Sequence, residues 1–411
     1  MHPWERRLRD LSLLLKNCGD TYFVPDAFRL NLNQFLQTSR TVTFIIQKNK
    51  ADIPNFDQWY QDTILTPWAT DEVMTWAKNA RNTVEKIGDL EMHSMLRTSL
   101  LFSHIESQDI VLSAPRNELM KANIEKLIHF VKTKMPRGIA ESAVLKLERR
   151  WVANSLPNHE LLNTLTYTYA RIFEICSALA LHLGTRLDRS IASPTSLDPT
   201  SNDTSQTRLI KIGKAGLGRQ RTTRFVMDPH FQPPQELNGL LEEFKSGPSP
   251  TDLSQTVERF AKFAKGTFEH FGYHIPMLFL FDDQWKLVDS LSAKLDDQSE
   301  KFIFWRNVAE RAAYQRAYAM VWISELWLRD LPSTKDLSVS ELPIIGERLH
   351  VIGMDIGDHT NLVEWNIQRN GEFAKPTLEA VGLGREIEIG EVFFAKTALA
   401  AMKRVRGQNP D

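Results

Sequence analysis

The sequence has little cysteine. Cys18 and Cys176 are the only two in 411 residues and form no CxxC pair. That excludes a disulfide framework or a zinc site built on thiolates, and it points to a reducing compartment, the cytoplasm. Long apolar runs are missing as well. No uninterrupted stretch approaches the roughly 18 residues needed to span a bilayer, so no membrane partner is expected. The opening MHPWERRLRD is charged from Glu5 onward and lacks the apolar centre of a signal peptide. There is no excess charge of either sign, because 50 Lys and Arg face 51 Asp and Glu for a formal net charge of −1. A polyanionic partner must therefore be argued from local patches alone. Internal repeats are absent.

What is present describes a folded chain of more than one core. Hydrophobic content of 42% and charged content of 25% are those of a soluble globular protein, and 411 residues exceed one ordinary domain. The clearest boundary is SIASPTSLDPTSNDTSQT, Ser190 to Thr207, where Ile191 and Leu197 are the only large aliphatics. Such a segment cannot bury enough apolar surface to offset its chain entropy and reads as a mobile linker. The expected organisation is a helical domain over 1–189, a linker over 190–207 and a mixed α/β domain over 208–411. The fold class is α+β.

Apolar spacing of three and four predicts helices over Phe28 to Lys50, Asp71 to Lys86, Leu119 to Lys134 and Leu161 to Leu183. MLRTSLLFSHIESQDIVLSAP reads as extended structure, a strand insertion in the helical domain. After the linker, IPMLFLF and AMVWISELWL are candidate buried strands. HVIGMDIG and NLVEWNIQRNGEF form a strand pair turning near Asp358, His359 and Thr360. Helices are expected at Leu253 to Phe271 and Glu300 to Tyr314, with a loop at KSGPSPTD.

The chemistry-bearing residues fall in three places. Arg81 and Asn82, in ARNTVEKIGDLEMHS, sit at the end of a helix that stops at Gly88. This helical pattern with its Arg–polar dipeptide resembles the HEPN family of nucleic-acid-associated helical domains. The resemblance covers about the first 150 residues and implies a homodimer whose paired motifs meet in a cleft. There an arginine holds phosphate, a histidine five to seven positions on assists proton transfer, and no metal is needed. Here the fifth residue after Arg81 is Lys86, and the nearest histidine, His93, lies beyond Gly88. A protonated lysine can hold phosphate but cannot accept a proton. Arg97 and His104 meet the required spacing, but in a strand their odd separation puts them on opposite faces. The alternative to catalysis is an ion pair of Arg81 with Asp89 or Glu91.

The second place is RLIKIGKAGLGRQRTTR, which carries Arg208, Lys211, Lys214, Arg219, Arg221 and Arg224 with no acidic residue. It matches neither a P-loop nor a dinucleotide fingerprint. As a flexible basic arm it would touch RNA or DNA backbone; otherwise it is a solvated tether. The third is a set of carboxylates after the linker: Asp282, Asp283, Asp289, Glu325, Asp355, Asp358 and Glu364. Some lie at strand ends, where Mg²⁺-dependent nucleases gather ligands. Glu325 stands inside an apolar strand, and pairing with Arg329 would explain it. Phe302, Phe304, Trp305, Trp322 and Trp327 read as core rather than a base-stacking platform. VIGMDIGDHTNLVEW is similar to the first phosphate loop of actin-like ATPases, but too few residues follow it for that fold.

The expectation is a protein that binds RNA or a protein partner without chemistry, as a component of a bacterial stress or phage-defence assembly. Neither cofactor nor metal is expected. The alternative is a nuclease using Arg81, Asn82 and Lys86, or the carboxylates of the second domain.

Overall fold

Regular apolar spacing makes residues 3–86 largely helical in the structure, a computed structural model. It describes residues 1–103, 109–112, 124–194, 206–213, 234–293, 295, 297–330, 342–369, 371 and 374–407. α1 (Pro3–Asp20) begins with proline in its first turn, and Glu5 folds back to accept the His2 amide at 2.5 Å. α2 (Pro25–Lys48) lays Phe28, Leu32, Phe35, Leu36, Val42 and Ile46 on one buried stripe. Two short helices follow, α3 (Phe56–Tyr60) and α4 (Thr66–Ala69), joined by one turn of π-helix at Gln61–Leu65. α5 (Glu72–Lys86) starts at Asp71, whose Oδ1 accepts the Met74 amide at 3.0 Å.

The extended stretch predicted next contains β1 (Met92–Leu101) and β2 (Ile110–Val111). α6 (Ile124–Lys134), α7 (Arg137–Ser142), β3 (Val144–Ala153) and α8 (Leu161–His182) come after it. With β4 (Thr207–Lys211) the strands form a four-stranded sheet in the order β2-β1-β3-β4.

The chain divides into two units, one of Met1–Ser99, Val111–Ala122 and Lys146–Leu209, the other of Leu100–Ile110, Asn123–Leu145 and Ile210–Asp411. Leu100–Ile110 and Asn123–Leu145 thus group with later residues, although they precede the expected boundary. The expected linker is anchored at both described ends. Ile191 is buried and the Ala192 carbonyl accepts the Tyr169 hydroxyl at 2.5 Å, while Thr207 begins β4. Residues 195–205 lie outside the described ones. The first unit's core joins Leu8, Leu11, Tyr22, Phe35, Trp151 and Tyr169. Both cysteines are free and buried, and burial pushes the Cys18 thiol up to about 12.

The second unit is built on a six-stranded antiparallel sheet, ordered β10-β9-β8-β7-β5-β6. Its strands are β5 (Met277–Phe281), β6 (Leu287–Ser292), β7 (Ala319–Arg329), β8 (Ile344–Asp355), β9 (Thr360–Gln368) and β10 (Thr377–Arg385). Four helices accompany them: α9 (Asn238–Ser246), α10 (Leu253–Phe271), α11 (Gln298–Tyr314) and α12 (Lys396–Val405). α10 packs Val257, Phe260 and Phe268 against Val321, Leu349, Val351 and Val363. The opposite face meets Trp305 and Val308 of α11 and Met402 of α12 through Met320, Trp322, Ile352 and Met354. Central strands covered on both faces carry continuous apolar runs, which is why IPMLFLF and AMVWI do not alternate.

Two expectations are corrected here. Trp327 is 60% exposed and leaves the aromatic core that Phe302, Phe304, Trp305 and Trp322 form. Glu325 accepts the His274 amide at 2.5 Å and lies 3.5 Å from Arg369, not beside Arg329. Four residues along a strand span roughly 13 Å, beyond side-chain pairing. Among the described residues, no helix is long and apolar enough to cross a membrane.

Candidate nucleic-acid interface

Arg81 and Asn82 lie on α5. Arg81 Nη2 pairs with Glu85 at 2.7 Å, one helical turn on, and Nη1 donates to Asn82 Oδ1 at 3.1 Å. Asp89, one of the two partners expected for Arg81, instead takes Arg29 at 2.5 Å and Asn33 at 2.8 Å. Lys86 is exposed in the last turn of the helix. His93 is carried away on β1, where its Nδ1 lies 3.0 Å from Asn154. Arg97 is exposed on the same strand; His104 lies outside the described residues. A carboxylate one helical turn on therefore holds Arg81. Replacing Arg81 with alanine should cost about 1 kcal/mol, the sum of one partly buried i,i+4 pair and its cation–π contact with Phe44 at 5.5 Å. Thermal melting checks this, and a loss of several kcal/mol would contradict it.

The basic segment is not one arm in its described part. Arg208 and Lys211 belong to β4, and three residues apart on a strand they face opposite ways. Lys211 is balanced by Asp297 at 3.2 Å and by Glu300, which hold its ammonium raised despite burial. Arg208 stacks over the Phe23 ring at 4.6 Å. Lys214, Arg219, Arg221 and Arg224 lie outside the described residues.

The carboxylates after the linker are each engaged locally. Asp289 binds Arg311 at 2.6 Å, Glu364 binds Arg385 at 3.1 Å and Arg348 at 3.4 Å, and Asp358 binds Lys403 at 2.7 Å. Asp283 meets Arg406 at 3.1 Å, and Asp282 Oδ1 accepts the Gln284 and Lys286 amides. Asp355 accepts the Gly357 amide at 2.8 Å and faces His359 Nδ1 at 3.0 Å. Among the described residues, no group of three or more His, Cys, Asp or Glu is placed to hold a metal ion.

The feature that stands out lies in the first unit: a cleft of about 1020 Å³ between the start of α5, the start of α8 and β3. Arg149, Arg150, Arg171, His159 and Tyr167 line it, with Asp71, Glu72 and Glu160 as its acidic groups. Two of those acids are already saturated. Asp71 caps α5 and also accepts the Tyr167 hydroxyl at 2.9 Å. Glu160 caps α8 through the Asn163 amide at 2.8 Å and accepts Gln206 at 2.7 Å and the Tyr22 hydroxyl at 2.5 Å. Burial first, then the Glu160 charge, raises the Tyr22 phenol, so it stays a neutral donor.

Arg149 is the opposite case. It is 6% exposed, and its Nε and Nη1 atoms are buried with no hydrogen-bond partner. Burial lowers its affinity for its proton, and the neighbouring Arg208 lowers it further. Aromatic rings lie beside it, Phe23 at 5.3 Å and Trp151 at 5.4 Å. Such stacking offsets on the order of 1–2 kcal/mol, less than the several kcal/mol that a buried unpaired charge costs. The backbone explains how the two cations meet. The Arg149 amide donates to the Gln206 carbonyl at 2.9 Å, which lays the start of β4 beside β3. Two guanidiniums, Arg149 and Arg208, thus flank one phenyl ring. The sequence carries a signal for the buried cation: in VLKLERRWV, Leu145, Leu147 and Trp151 share one strand face, and Arg149 occupies the apolar position between them.

Comparison with known proteins adds a family. The model described as bacteriophage lambda protein ea47 matches residues 1–212 and 241–371. The chain is 41% identical over 377 residues to "Protein ea47" of Escherichia phage lambda, which covers 92% of each. No solved structure matches.

Proposed function

We propose that this chain, which belongs to the bacteriophage lambda ea47 family, binds nucleic acid by its phosphate backbone at the Arg149 cleft and does no chemistry on it. One observation carries this reading: a buried guanidinium with two unpartnered nitrogens faces a large cleft whose carboxylates Asp71 and Glu160 are already bonded. A phosphate there would accept from Arg149, and Arg150 would hold a neighbour along the strand, whereas Arg171 is already paired with Asp71 and Glu174. Tyr167, 44% exposed, offers a ring for a base to stack on. The cleft lies within residues 1–212, whereas Arg219, Arg221 and Arg224 fall between the two matched spans. A helical, HEPN-like member that binds without cutting fits the Arg81–Glu85 pair, and a homodimer through the helical domain belongs to the same proposal. The lambda relative supports a setting where phage and bacterial nucleic acids meet. A part in a stress or defence assembly is the wider form of the reading.

The test is incubation of the purified chain with mixed-sequence single-stranded RNA, with Mg²⁺ and with EDTA. The expected result is a shifted complex with intact RNA under both conditions. Cleavage that persists in EDTA and disappears in Arg81→Ala would make this a HEPN-type nuclease, and cleavage that needs Mg²⁺ would point to the carboxylates.

A further inference from the structure

A second cavity in the first unit, about 360 Å³, is enclosed by α2, the α3–α4 turn, α5 and α8, and its chemistry differs from that of the cleft. Its lining holds two cations, Arg40 and Lys78, and no carboxylate at all. Neither cation has a carboxylate partner among the described residues. Arg40 is half-buried and stacked on Phe44 at 4.4 Å; its Nη1 donates to Thr43 Oγ1 at 3.2 Å and the guanidinium also hydrogen-bonds the Tyr60 hydroxyl, which leaves part of its donor edge for another acceptor. A guanidinium stacked by its face leaves its in-plane N–H edge for an acceptor, the geometry that receives a carboxylate or phosphate head. The remaining walls are mixed: Ile64, Met74 and Ile172 are buried there with Trp68 beside them, and Ser39, Thr75 and Thr168 add hydroxyls.

A second, independent observation comes from the backbone. The single turn of π-helix, Gln61–Leu65, supplies Ile64 and Leu65 to this wall. A π turn is less stable than the α-helix it interrupts and recurs at functional sites, where the extra residue reshapes a side-chain surface. Gln47 and Tyr60, hydrogen-bonded to each other at the rim, add fixed polarity beside Arg40. A concave shape with an apolar patch beside convergent polar groups describes a small-molecule site.

We infer that this cavity binds a small organic anion, with a carboxylate or phosphate head on Arg40 and an apolar body between Ile64, Met74 and Ile172. The site is separate from the Arg149 cleft and does not depend on the nucleic-acid reading.

The experiment is calorimetric titration of the full chain with naphthalene-2-carboxylate and, separately, with the neutral 2-naphthalenemethanol. The carboxylate should bind at least about ten-fold more tightly, a gap of about 1.4 kcal/mol. Arg40→Met should erase that preference while the melting temperature without ligand stays within a few degrees of the parent. Arg40→Lys should keep part of it. Equal binding of acid and alcohol by the parent, no binding of either, or a preference unchanged in Arg40→Met would each overturn the inference. If Arg40→Met fails to fold, Lys78→Met together with the Arg40→Lys comparison carries the test, with the same preference as its readout.

Discussion

Replacing Gly353 with valine is expected to destabilise the second unit by on the order of 4 kcal/mol, enough to unfold a marginal domain. Gly353 sits in β8 between Val321 and Asn361, directly under α10. A Cβ placed there would stand 2.3 Å from Val257 Cγ2 and 2.8 Å from Leu253 Cδ1. Neither neighbour can yield cheaply. Val257 is wholly buried and β-branched, so its χ1 is held in one rotamer within the helix. The helix must therefore lift from the sheet, and the contacts of Phe260 and Phe268 loosen with it. The milder Gly353→Ala should be partly rescued by Val257→Ala, because the two changes share one clash. Urea unfolding of the single and double variants measures this. Additive losses would show that the clash is not the cause.

The second large effect is acid sensitivity from His350. Burial, at 6% exposure, lowers its imidazole to about 4, with Arg348 and Arg385 opposing protonation and Glu364 favouring it. Its buried Nδ1 has no partner, and neither does Ser324 Oγ, directly across β7. Between pH 6.5 and about 4 the unfolded chain binds a proton here that the folded chain does not. Stability then rises with pH, so acidification through this window removes it, by roughly 3 kcal/mol for one such group. Above the ordinary histidine range the contribution is flat. His350→Leu should flatten the loss between pH 6.5 and 4. Denaturation midpoints of parent and variant across that range decide it, and equal pH slopes would contradict the assignment.

The second unit was the more legible in sequence, for a physical reason. β5, β7, β8 and β9 are central strands covered on both faces, so their apolar runs are continuous, and Leu253 to Phe271 shows one clean helical stripe. The edge strands β6 and β10 escape notice, β6 because Asp289, Ser290 and Ser292 interrupt it and β10 because its glycines and a register shift between Ala380 and Gly382 break it. β3 hides for another reason: Lys146, Glu148 and Arg150 share VLKLERRWV with Arg149, which takes a core position. β4 hides because its basic residues look like part of a solvated arm. Adjacency in sequence joined Arg208 to Lys211, and strand geometry separates them again. The cleft draws on residues 67–73, 149–150, 158–171 and 206, and no local pattern could gather these. Arg81 was visible as a candidate because its neighbours in sequence are informative, but only the fold shows that Glu85 holds it.

The central claim is that Arg149 is kept buried and unpaired for an anion supplied from outside. The most direct measurement is a paired one on Arg149→Met, which removes the charge and keeps an unbranched apolar side chain. Labelled single-stranded RNA is titrated from roughly 50 to 200 mM salt, where counterion release makes each phosphate contact visible in the slope. Thermal unfolding is recorded on the same samples. The variant should bind RNA about 10- to 100-fold more weakly, the loss of one charge-assisted contact of about 1.5–3 kcal/mol, with a salt slope shallower by about one ion. It should also melt at the same temperature as the parent or higher, because an uncompensated buried charge is gone. Unchanged affinity and slope, or a variant that loses stability instead, would contradict the account and leave Arg149 a structural residue.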